Sequence, residues 1–351
     1  MSARFLTVVL ERAFNMRDGF GREIDYMRIS VIDSCNLNCY YCNPCDNNEH
    51  CHALNILSVK EVLCIVRAAT RLGIKHFRLT GGEPLLHPQL DEMVLQIKKI
   101  PGVSSVSLTT NAVLLVQHAK WLKEAGIDSI NVSLDTIDAS EYERITKKPL
   151  LEEVKHGINA AIECGIRVKI NVVLTPQTDV VALTRYVAKK GTDIRFIEMM
   201  PVGEGHTNGV EPYKKVIGTL SKLYGEPCRI NTEKTKEINS GNDKRKIPDN
   251  GPAEYYIFPE LGIRVGLIQA IHGKFCDTCN RIRVTADGRL MPCLGSSVTM
   301  DLVPDSWDFA DDVEKDFAIV RALRAAIKAK PRCHNFNDNA VTYTKTTETK
   351  T

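Results

Sequence analysis

Three cysteines stand close together near the start of the chain, in the stretch Cys35-Asn36-Leu37-Asn38-Cys39-Tyr40-Tyr41-Cys42, here named the first triplet. Thiolates are soft ligands, so a tight group of them favours zinc, copper(I) or an iron–sulfur cluster. A structural zinc site normally has two cysteine pairs that together supply four ligands. Three thiolates leave one metal position open, so the spacing predicts a cluster whose free iron binds a small molecule. A zinc knot and three unrelated thiols are the alternatives.

A second triplet lies in the C-terminal third of the chain: Cys276, Cys279 and Cys293. It again has three thiols rather than four. Arg281 and Arg283 lie within it, and the period of two along a strand places both arginines on the same side. Planar guanidinium groups bind phosphate or purine edges well, so an anionic substrate is expected beside this triplet. The alternative is a zinc site with a fourth ligand elsewhere, for which His272 is the candidate.

Other unusual residues follow predicted strands. The segment Thr80-Gly81-Gly82-Glu83-Pro84 has two consecutive glycines, which would let the backbone approach a ligand closely. Taken alone, the same residues also suit a tight strand-to-helix turn. Polar residues end further strands, at Thr109 to Asn111, Asn131 to Asp135, Lys169 to Asn171 and Arg195 to Met200. In parallel α/β folds ligands collect at the carboxyl ends of strands, so these segments are expected to meet at one site.

The elements that must position these residues alternate in type. Apolar periodicity predicts six strands, at Tyr26–Asp33, His76–Thr80, Ser105–Thr109, Ser129–Leu134, Val168–Leu174 and Ile194–Met199. It predicts six helices between and after them, at Ser58–Leu72, Leu90–Ile100, Val113–Ala125, Glu152–Cys164, Val180–Lys189 and Tyr213–Leu223. This alternation predicts a parallel sheet with right-handed crossovers, either an open doubly wound sheet or a partial barrel. No Gly-x-Gly-x-x-Gly follows the first strand, so a dinucleotide-binding fold lacks support.

Composition and charge are those of an ordinary globular protein. The chain has 351 residues, 43% hydrophobic and 25% charged, with a net charge of +3, which does not suggest a nucleic-acid-coating surface. No apolar run approaches the roughly 20 residues that span a bilayer, and the N-terminal run is too short for a signal peptide. An organelle-targeting role for residues 1–17 is disfavoured by Glu11. Twelve cysteines without a secretion signal therefore predict metal ligation in a reducing, cytoplasmic compartment.

The sequence also suggests a division into units. Residues 1–21 are expected to form an N-terminal arm, 22–226 a barrel, 227–335 a C-terminal unit and 336–351 a disordered tail. The C-terminal unit is predicted to contain strands at Ala253–Phe258 and Gly262–Leu267 and a basic helix at Val313–Lys330, after a polar loop from Glu233 to Gly251. Cys45 and Cys51 stand beside the first triplet and are interpreted as accidental neighbours rather than ligands.

Together these motifs resemble a known family. The spacing Cys-x₃-Cys-x₂-Cys with a following Gly-Gly-Glu-Pro resembles the radical S-adenosylmethionine (SAM) family, in which the open iron holds SAM. The two triplets, combined with Arg281 and Arg283, resemble more closely the GTP 3′,8-cyclases of molybdenum-cofactor biosynthesis. That resemblance covers about residues 18–300. It implies an α/β fold, a partial (β/α)₆ TIM-type barrel with a smaller C-terminal α+β unit that carries a second cluster.

The resemblance also implies cofactors, substrate and site residues. Two [4Fe–4S] clusters would be held by the two triplets, and SAM would be bound by Tyr41, Gly82, Ser133 and Met200. GTP would be bound by Arg28, Arg78, Thr109, Lys169, Arg281 and Arg283. Reductive cleavage of SAM would yield a 5′-deoxyadenosyl radical that cyclises GTP to (8S)-3′,8-cyclo-7,8-dihydroguanosine 5′-triphosphate, with no side chain as acid–base catalyst. An electron donor, a downstream pterin-forming enzyme and a second copy in a homodimer are the implied partners.

Three other readings stay open at this point. Members of the family usually end in Gly-Gly, whereas this sequence ends with Thr344 to Thr351, which suits a paralogue acting on another nucleotide in the same pocket. A radical SAM peptide maturase is a second reading, although such enzymes usually carry more C-terminal cysteines and a peptide-binding front domain. A zinc-binding interaction module without catalysis is the third.

Overall fold

A computed structural model of the protein describes residues 16–42, 55–202, 205, 209–230, 251–302 and 312–336. The predicted N-terminal arm is therefore described only from Met16 onward. Cys45, Cys51, nearly all of the polar loop and the tail after residue 336 lie outside the described residues. Within the described ranges, no helix is both long enough and apolar enough to cross a lipid bilayer.

Six parallel strands, paired in chain order, form the centre of the sheet, which confirms the predicted parallel α/β fold. The strands are β1 (Tyr26–Ser30), β2 (His76–Thr80), β3 (Ser105–Thr110), β4 (Ser129–Ser133), β5 (Val168–Leu174) and β6 (Asp193–Glu198). The helices are α1 (Val59–Arg71), α2 (Leu90–Lys98), α3 (Leu115–Glu124), α4 (Ala139–Thr146), α5 (Leu151–Glu163), α6 (Val180–Lys189) and α7 (Gly218–Tyr224). A capping box starts α1, where Glu61 N donates to Ser58 Oγ at 3.3 Å and Ser58 N donates to Glu61 Oε2 at 2.7 Å.

The C-terminal part of the chain adds strands to both edges of this sheet. Strand β9 (Arg264–Ile268) pairs in parallel with β6, and β10 (Arg281–Val284) pairs in parallel with β1. Four short antiparallel strands and one helix complete it: β7 (Cys228–Ile230), β8 (Glu254–Ile257), β11 (Arg289–Met291), β12 (Met300–Asp301) and α8 (Asp312–Lys328). Because β9 and β10 lie on opposite edges, the segment joining them runs from one side of the partial barrel to the other.

Side chains along the parallel strands fall into two rows, most clearly on β1 and β2. On β1 and β2 the residues Met27, Ile29, Phe77 and Leu79 are fully buried among the apolar core residues, while polar residues lie between them. Because successive side chains of a strand point to opposite faces, the apolar row faces the helices and the polar row faces the barrel interior. The interior of a TIM-type barrel is normally filled by branched apolar side chains. The polar interior of this barrel therefore leaves a site for a polar ligand.

Several elements differ from the prediction. Helix α4 was not predicted, although Asp138 provides its N-cap by accepting from Glu141 N at 2.8 Å. The last predicted barrel helix begins with one π-type turn, Tyr213–Ile217, before α7. Strand β1 ends at Ser30, three residues earlier than predicted. Strands of two or three residues, such as β12, carry too little alternation to be found in a sequence.

A helical glycine offers a test of the helix packing. A Cβ at Gly157 in α5 would lie 2.3 Å from Ala112 O and 3.0 Å from Leu115 Cβ. Because a backbone carbonyl cannot rotate away, we expect Gly157→Ala to lower the free energy of unfolding by about 1–3 kcal/mol. At Gly218 in α7 no described atom beyond its own helix turn lies within 4 Å of an added Cβ, so Gly218→Ala should raise the free energy of unfolding by about 0.5–1 kcal/mol. Urea unfolding measures both, and similar changes for the two variants would contradict the close α3–α5 contact.

Candidate functional site

The first triplet lies in the loop that leaves the carboxyl end of β1. Helix α4 holds this loop, because Asn38 N and Tyr40 N donate to Thr146 O at 3.0 Å and to Ile145 O at 3.1 Å. Burial, the largest effect, together with the charges of Asp135 and the other two thiols, raises the pKa of Cys39 to about 12. Burial also raises the pKa of Cys35 and Cys42. As free thiols they therefore stay protonated at neutral pH, and binding a cluster would release protons.

The two glycines of the Gly-Gly-Glu-Pro segment pack against the backbone just before the first triplet. A Cβ at Gly82 would lie 2.1 Å from Ser34 O, and one at Gly81 would lie 2.3 Å from Ile32 O. Gly82 N donates to Ile32 O at 2.8 Å. Glycine is thus required here by contact between two chain segments, a cause different from both the ligand approach and the tight turn that the sequence suggested. The role of Gly82 in SAM binding stays a prediction.

The side chain of Glu83, which follows β2, binds the end of β3 near the first triplet. Its side chain is 1% exposed and accepts hydrogen bonds from Leu85 N at 3.0 Å, Thr110 Oγ1 at 2.7 Å and Asn111 N at 2.7 Å. Burial raises the pKa of Glu83, and these hydrogen bonds oppose the rise. The amide of Asn111 in turn lies 3.9 Å from Cys35 Sγ. The carboxylate therefore fixes the β3 end against the loop of the triplet.

The predicted SAM residues gather at the same carboxyl end. Tyr41 donates its hydroxyl to Asp135, whose other oxygen accepts from Val173 N at 2.7 Å. Burial raises the pKa of Asp135 to about 6. A Cβ added at Gly205 would lie 2.6 Å from Met200 O and 3.6 Å from Tyr41 O, so Met200 and Tyr41 are neighbours. Ser133 and Gly82, at the ends of β4 and β2, border the same edge. Asp135 was not singled out from the sequence.

Cationic side chains from neighbouring strands face one another inside the barrel. In the strand register, Arg28 lies between Arg283 on β10 and Arg78 on β2. Arg78 Nε donates to Ser107 Oγ at 3.1 Å, which fixes its direction. Burial, and next the charge of Arg283, lower the pKa of Arg28 well below its usual value. Within the described residues Arg28 Nε is buried without a hydrogen-bond partner. An anion bound here would relieve both the repulsion and the missing hydrogen bond.

A second row of inward residues lies nearer the middle of the sheet. Asn131 stands opposite Thr109 on β3 and opposite Lys169 on β5. It is 1% exposed, and in the described part of the chain neither amide atom of Asn131, nor Thr109 Oγ1, has a hydrogen-bond partner. Buried polar groups are nearly always paired, so these atoms point to a polar ligand. Asn131 begins one of the strand-end segments expected at the site, although no binding role was predicted for it from the sequence.

Arg195 is a further interior cation that was not selected. It lies on β6, is 3% exposed, and its Nε donates to Asn171 Oδ1 at 2.9 Å. Lys169, on the neighbouring strand, is 5% exposed, and its Nζ lies 5.9 Å from the ring centroid of Tyr255. The interior therefore carries positive charge on β10, β1 and β2 and again on β5 and β6.

The second triplet lies in and after the segment that joins β9 to β10. Cys279 N donates to Cys276 O at 3.2 Å in a short turn, and Cys293 follows β11. Arg281 Nη2 lies 3.7 Å from Cys279 Sγ. Burial raises the pKa of Cys279, but the charges of Arg281 and Lys330 outweigh burial and lower it to about 7. The alternation predicted for Arg281 and Arg283 is present, because Ile282 and Val284 between and after them are buried.

Glu198 fixes the start of the second-triplet segment. This last residue of β6 is 3% exposed and accepts from Ile271 N at 2.7 Å and from His272 N at 3.1 Å. The ring Nδ1 of His272 also bonds to Glu198. His272, the candidate fourth zinc ligand, therefore has one ring nitrogen committed to a carboxylate.

Both triplets fit an iron–sulfur cluster better than a single metal ion. The charges of Cys35 and Cys42 contribute to raising the pKa of Cys39, and those of Cys279 and Cys293 contribute to raising the pKa of Cys276, as expected for neighbouring thiols. Among the described residues, however, no three His, Cys, Asp or Glu side chains are close enough together to hold one ion. A four-iron cluster is larger than one ion, so its thiolate ligands stand farther apart.

The sequence matches two family profiles in succession. The radical SAM superfamily matches residues 29–182, and a family described as Molybdenum Cofactor Synthesis C matches residues 192–336. Among solved structures, Streptococcus suis SuiB bound to its precursor peptide SuiA is similar with a TM-score of 0.57 and 16% identity, over 92% of this chain and 69% of that one. Native anSMEcpe with bound AdoMet is similar with a TM-score of 0.51 and 16% identity, over 85% and 82%. At such identities these two structures support the fold alone.

Curated relatives are much nearer in sequence. The GTP 3′,8-cyclase of Clostridium perfringens (strain SM101 / Type A) is 35% identical over 92% of this chain and 95% of that protein. Those of Pelotomaculum thermopropionicum and Peptoclostridium acidaminophilum are 36% and 37% identical, over 91% and 92% of this chain and 95% and 94% of theirs. These similarities, with the radical SAM profile and the two cysteine triplets, confirm the resemblance seen in the motifs: the chain belongs to the GTP 3′,8-cyclase family of radical SAM proteins.

Proposed function

We propose that this protein is a GTP 3′,8-cyclase, which converts GTP to (8S)-3′,8-cyclo-7,8-dihydroguanosine 5′-triphosphate as the first step of molybdopterin synthesis. The observation that carries the proposal is the polar barrel interior, where Arg28 is the register neighbour of Arg78 and Arg283 and where Lys169 and Arg195 add further buried cations. A nucleoside triphosphate has the negative charge and the hydrogen-bonding groups that such an interior requires.

The first triplet would hold a [4Fe–4S] cluster with SAM. When bound, that cofactor pair supplies a 5′-deoxyadenosyl radical, which removes the unactivated ribose hydrogen that no side chain can remove. The residues of the chain would position SAM and the substrate and shield the radical from solvent. Tyr41, held by Asp135, and Met200 would flank SAM together with Gly82 and Ser133. The loop contacts made by Glu83 keep this end of the barrel rigid, which favours a productive distance between SAM and substrate.

The interior residues would bind GTP. Arg28, Arg78 and Arg283 suit the triphosphate, because guanidinium groups bind phosphate through paired hydrogen bonds. Arg281 beside Cys279 suits the guanine end, where a second [4Fe–4S] cluster on the second triplet would offer its open iron. Thr109 and Lys169 would complete the set. Bound substrate that fills this interior would also keep water and other hydrogen donors away from a radical.

We further propose a cellular compartment, partners and domain boundaries for this protein. The described cysteines are free thiols, which suits the reducing cytoplasm. An electron donor must reduce the first cluster, and a downstream pterin-forming enzyme would take the product. We also propose a homodimer, and an organisation into an arm (1–21), a barrel (22–226), a C-terminal unit (227–335) and a tail (336–351).

The deciding experiment is anaerobic incubation of the iron-loaded protein with SAM, a reductant and each nucleoside triphosphate in turn. GTP should yield 5′-deoxyadenosine together with a new compound of the mass of GTP, because cyclisation removes one hydrogen atom and ring reduction adds one. Mass spectrometry after chromatography detects both. A product from another nucleotide only would favour the paralogue, and a zinc-containing protein without iron or sulfide would favour the interaction module.

The two triplets make separable predictions. Alanine at Cys35, Cys39 or Cys42 should abolish 5′-deoxyadenosine formation, because a lost thiolate exposes a second iron of the SAM cluster. Alanine at Cys276, Cys279 or Cys293 should leave some SAM cleavage and reduce bound iron by about half, because only one of two clusters is lost. Iron analysis and 5′-deoxyadenosine quantification test this. Full iron content in all second-triplet variants would contradict a cluster there.

The interior arginines Arg281 and Arg283 are expected to contribute to the affinity for GTP. Arg281→Ala or Arg283→Ala should weaken GTP binding roughly 10- to 150-fold, since a charge-assisted contact contributes about 1.5–3 kcal/mol. Arg283→Lys should rescue little, because lysine lacks the planar fork. Arg289 on the neighbouring strand β11 pairs with Asp287 and is the matched control, so Arg289→Ala should bind GTP normally. Equilibrium binding of GTP and SAM measures these effects; equal GTP affinity in all variants would remove GTP as the ligand of this face.

A further inference from the structure

A buried lysine joins two of the backbone segments that carry the second triplet. Lys330, just beyond α8, is 3% exposed. Its Nζ donates to Arg281 O and to Pro292 O, both at 2.8 Å. Arg281 is two residues after Cys279, and Pro292 directly precedes Cys293. One ammonium group thus holds together the chain at the second and third cysteines.

A buried arginine does the same for the first cysteine. Arg22 Nη1 donates to Cys276 O at 2.7 Å, and Nη2 donates to Pro331 O at 2.6 Å. Its Nε donates to the carboxylate of Asp18 at 2.6 Å. Arg22 therefore anchors Cys276 to the segment that directly follows Lys330. The two cations together contact the backbone at or near all three cysteines.

The two cations differ in how their charge is balanced. Arg22 is paired with the buried carboxylate of Asp18. For Lys330 the opposite charges that act most strongly are the thiols of Cys279 and Cys293, and no carboxylate in the described residues forms an ion pair with it. A buried ammonium without a counter-charge is strongly unfavourable. Three thiolates around an oxidised cluster core carry a net negative charge, which would provide the missing partner.

We propose that Lys330 is the counter-charge of a cluster on the second triplet. Together with Arg22 it positions the three thiols of that triplet through hydrogen bonds to the backbone. The inference rests on the second cluster assigned under the proposed function. Reduction adds negative charge to a cluster, and a nearby cation stabilises the reduced form. Lys330 therefore raises the reduction potential of this cluster and strengthens its retention.

Three substitutions separate the charge from the hydrogen bonds. Lys330→Gln keeps N–H donors and removes the charge, Lys330→Met removes both, and Lys330→Arg keeps both. Lys328, exposed at the end of α8, gives the matched control Lys328→Gln. Each is made in the protein that keeps the first triplet, and in a Cys35→Ala, Cys39→Ala, Cys42→Ala background where only the second cluster remains. In the variants that keep the first triplet, 5′-deoxyadenosine formation reports correct folding.

The measurements are bound iron after exposure to a chelator and the midpoint potential of the remaining cluster, followed by electron paramagnetic resonance. Lys330→Gln and Lys330→Met should lose second-cluster iron faster. They should also shift the equilibrium between the reduced and oxidised cluster about tenfold toward the oxidised form, so that the midpoint potential becomes about 59 mV more negative. Lys330→Arg and Lys328→Gln should resemble the parent. An unchanged potential and iron retention in Lys330→Gln would overturn the proposal. A parent protein with one cluster only would instead refute the second cluster, and the role of Lys330 would fall with it.

Discussion

The structure depends on the period of two along its parallel strands. One row of each strand, exemplified by Ile29 and Leu79, packs against the helices and supplies the apolar core. The other row, exemplified by Arg28 and Asn131, faces the interior. Its like charges repel, and among the described residues the side-chain amide of Asn131 has no hydrogen-bond partner, so these side chains do not satisfy one another. The stability of the fold therefore comes from outside the barrel, and the interior is free to be shaped for a ligand.

Buried carboxylates at the ends of alternate strands hold in place the chain segments that surround the candidate site. Glu83 after β2, Asp135 after β4 and Glu198 at the end of β6 each accept backbone N–H groups from another segment. A buried acid with several such donors fixes loop positions strongly, because releasing the loop would leave the carboxylate unpaired in an apolar environment. Two of them hold groups near the first triplet, and the third holds the start of the second-triplet segment.

The C-terminal unit is joined to the barrel at both edges rather than attached to one side. Strand β9 continues the sheet beyond β6, and β10 continues it beyond β1, so the second triplet is carried across the open side of the barrel. Arg22 and Lys330 then bind its backbone from beneath. This arrangement makes the positions of the two triplets depend on one continuous sheet, which suits chemistry that requires two cofactors at a fixed separation.

The sequence by itself determined the local features. Apolar periodicity located β2, β5 and α6 to the residue, and the spacing of each triplet indicated cluster chemistry, because strand alternation and cysteine spacing are properties of short segments. Only the tertiary structure decided which distant residues meet. It paired Arg283 with Arg28, brought Lys330 to Cys279 and Cys293, and assigned Gly82 to a contact between two chain segments. These outcomes depend on strand register and edge pairing between residues far apart in the chain, which no local pattern encodes.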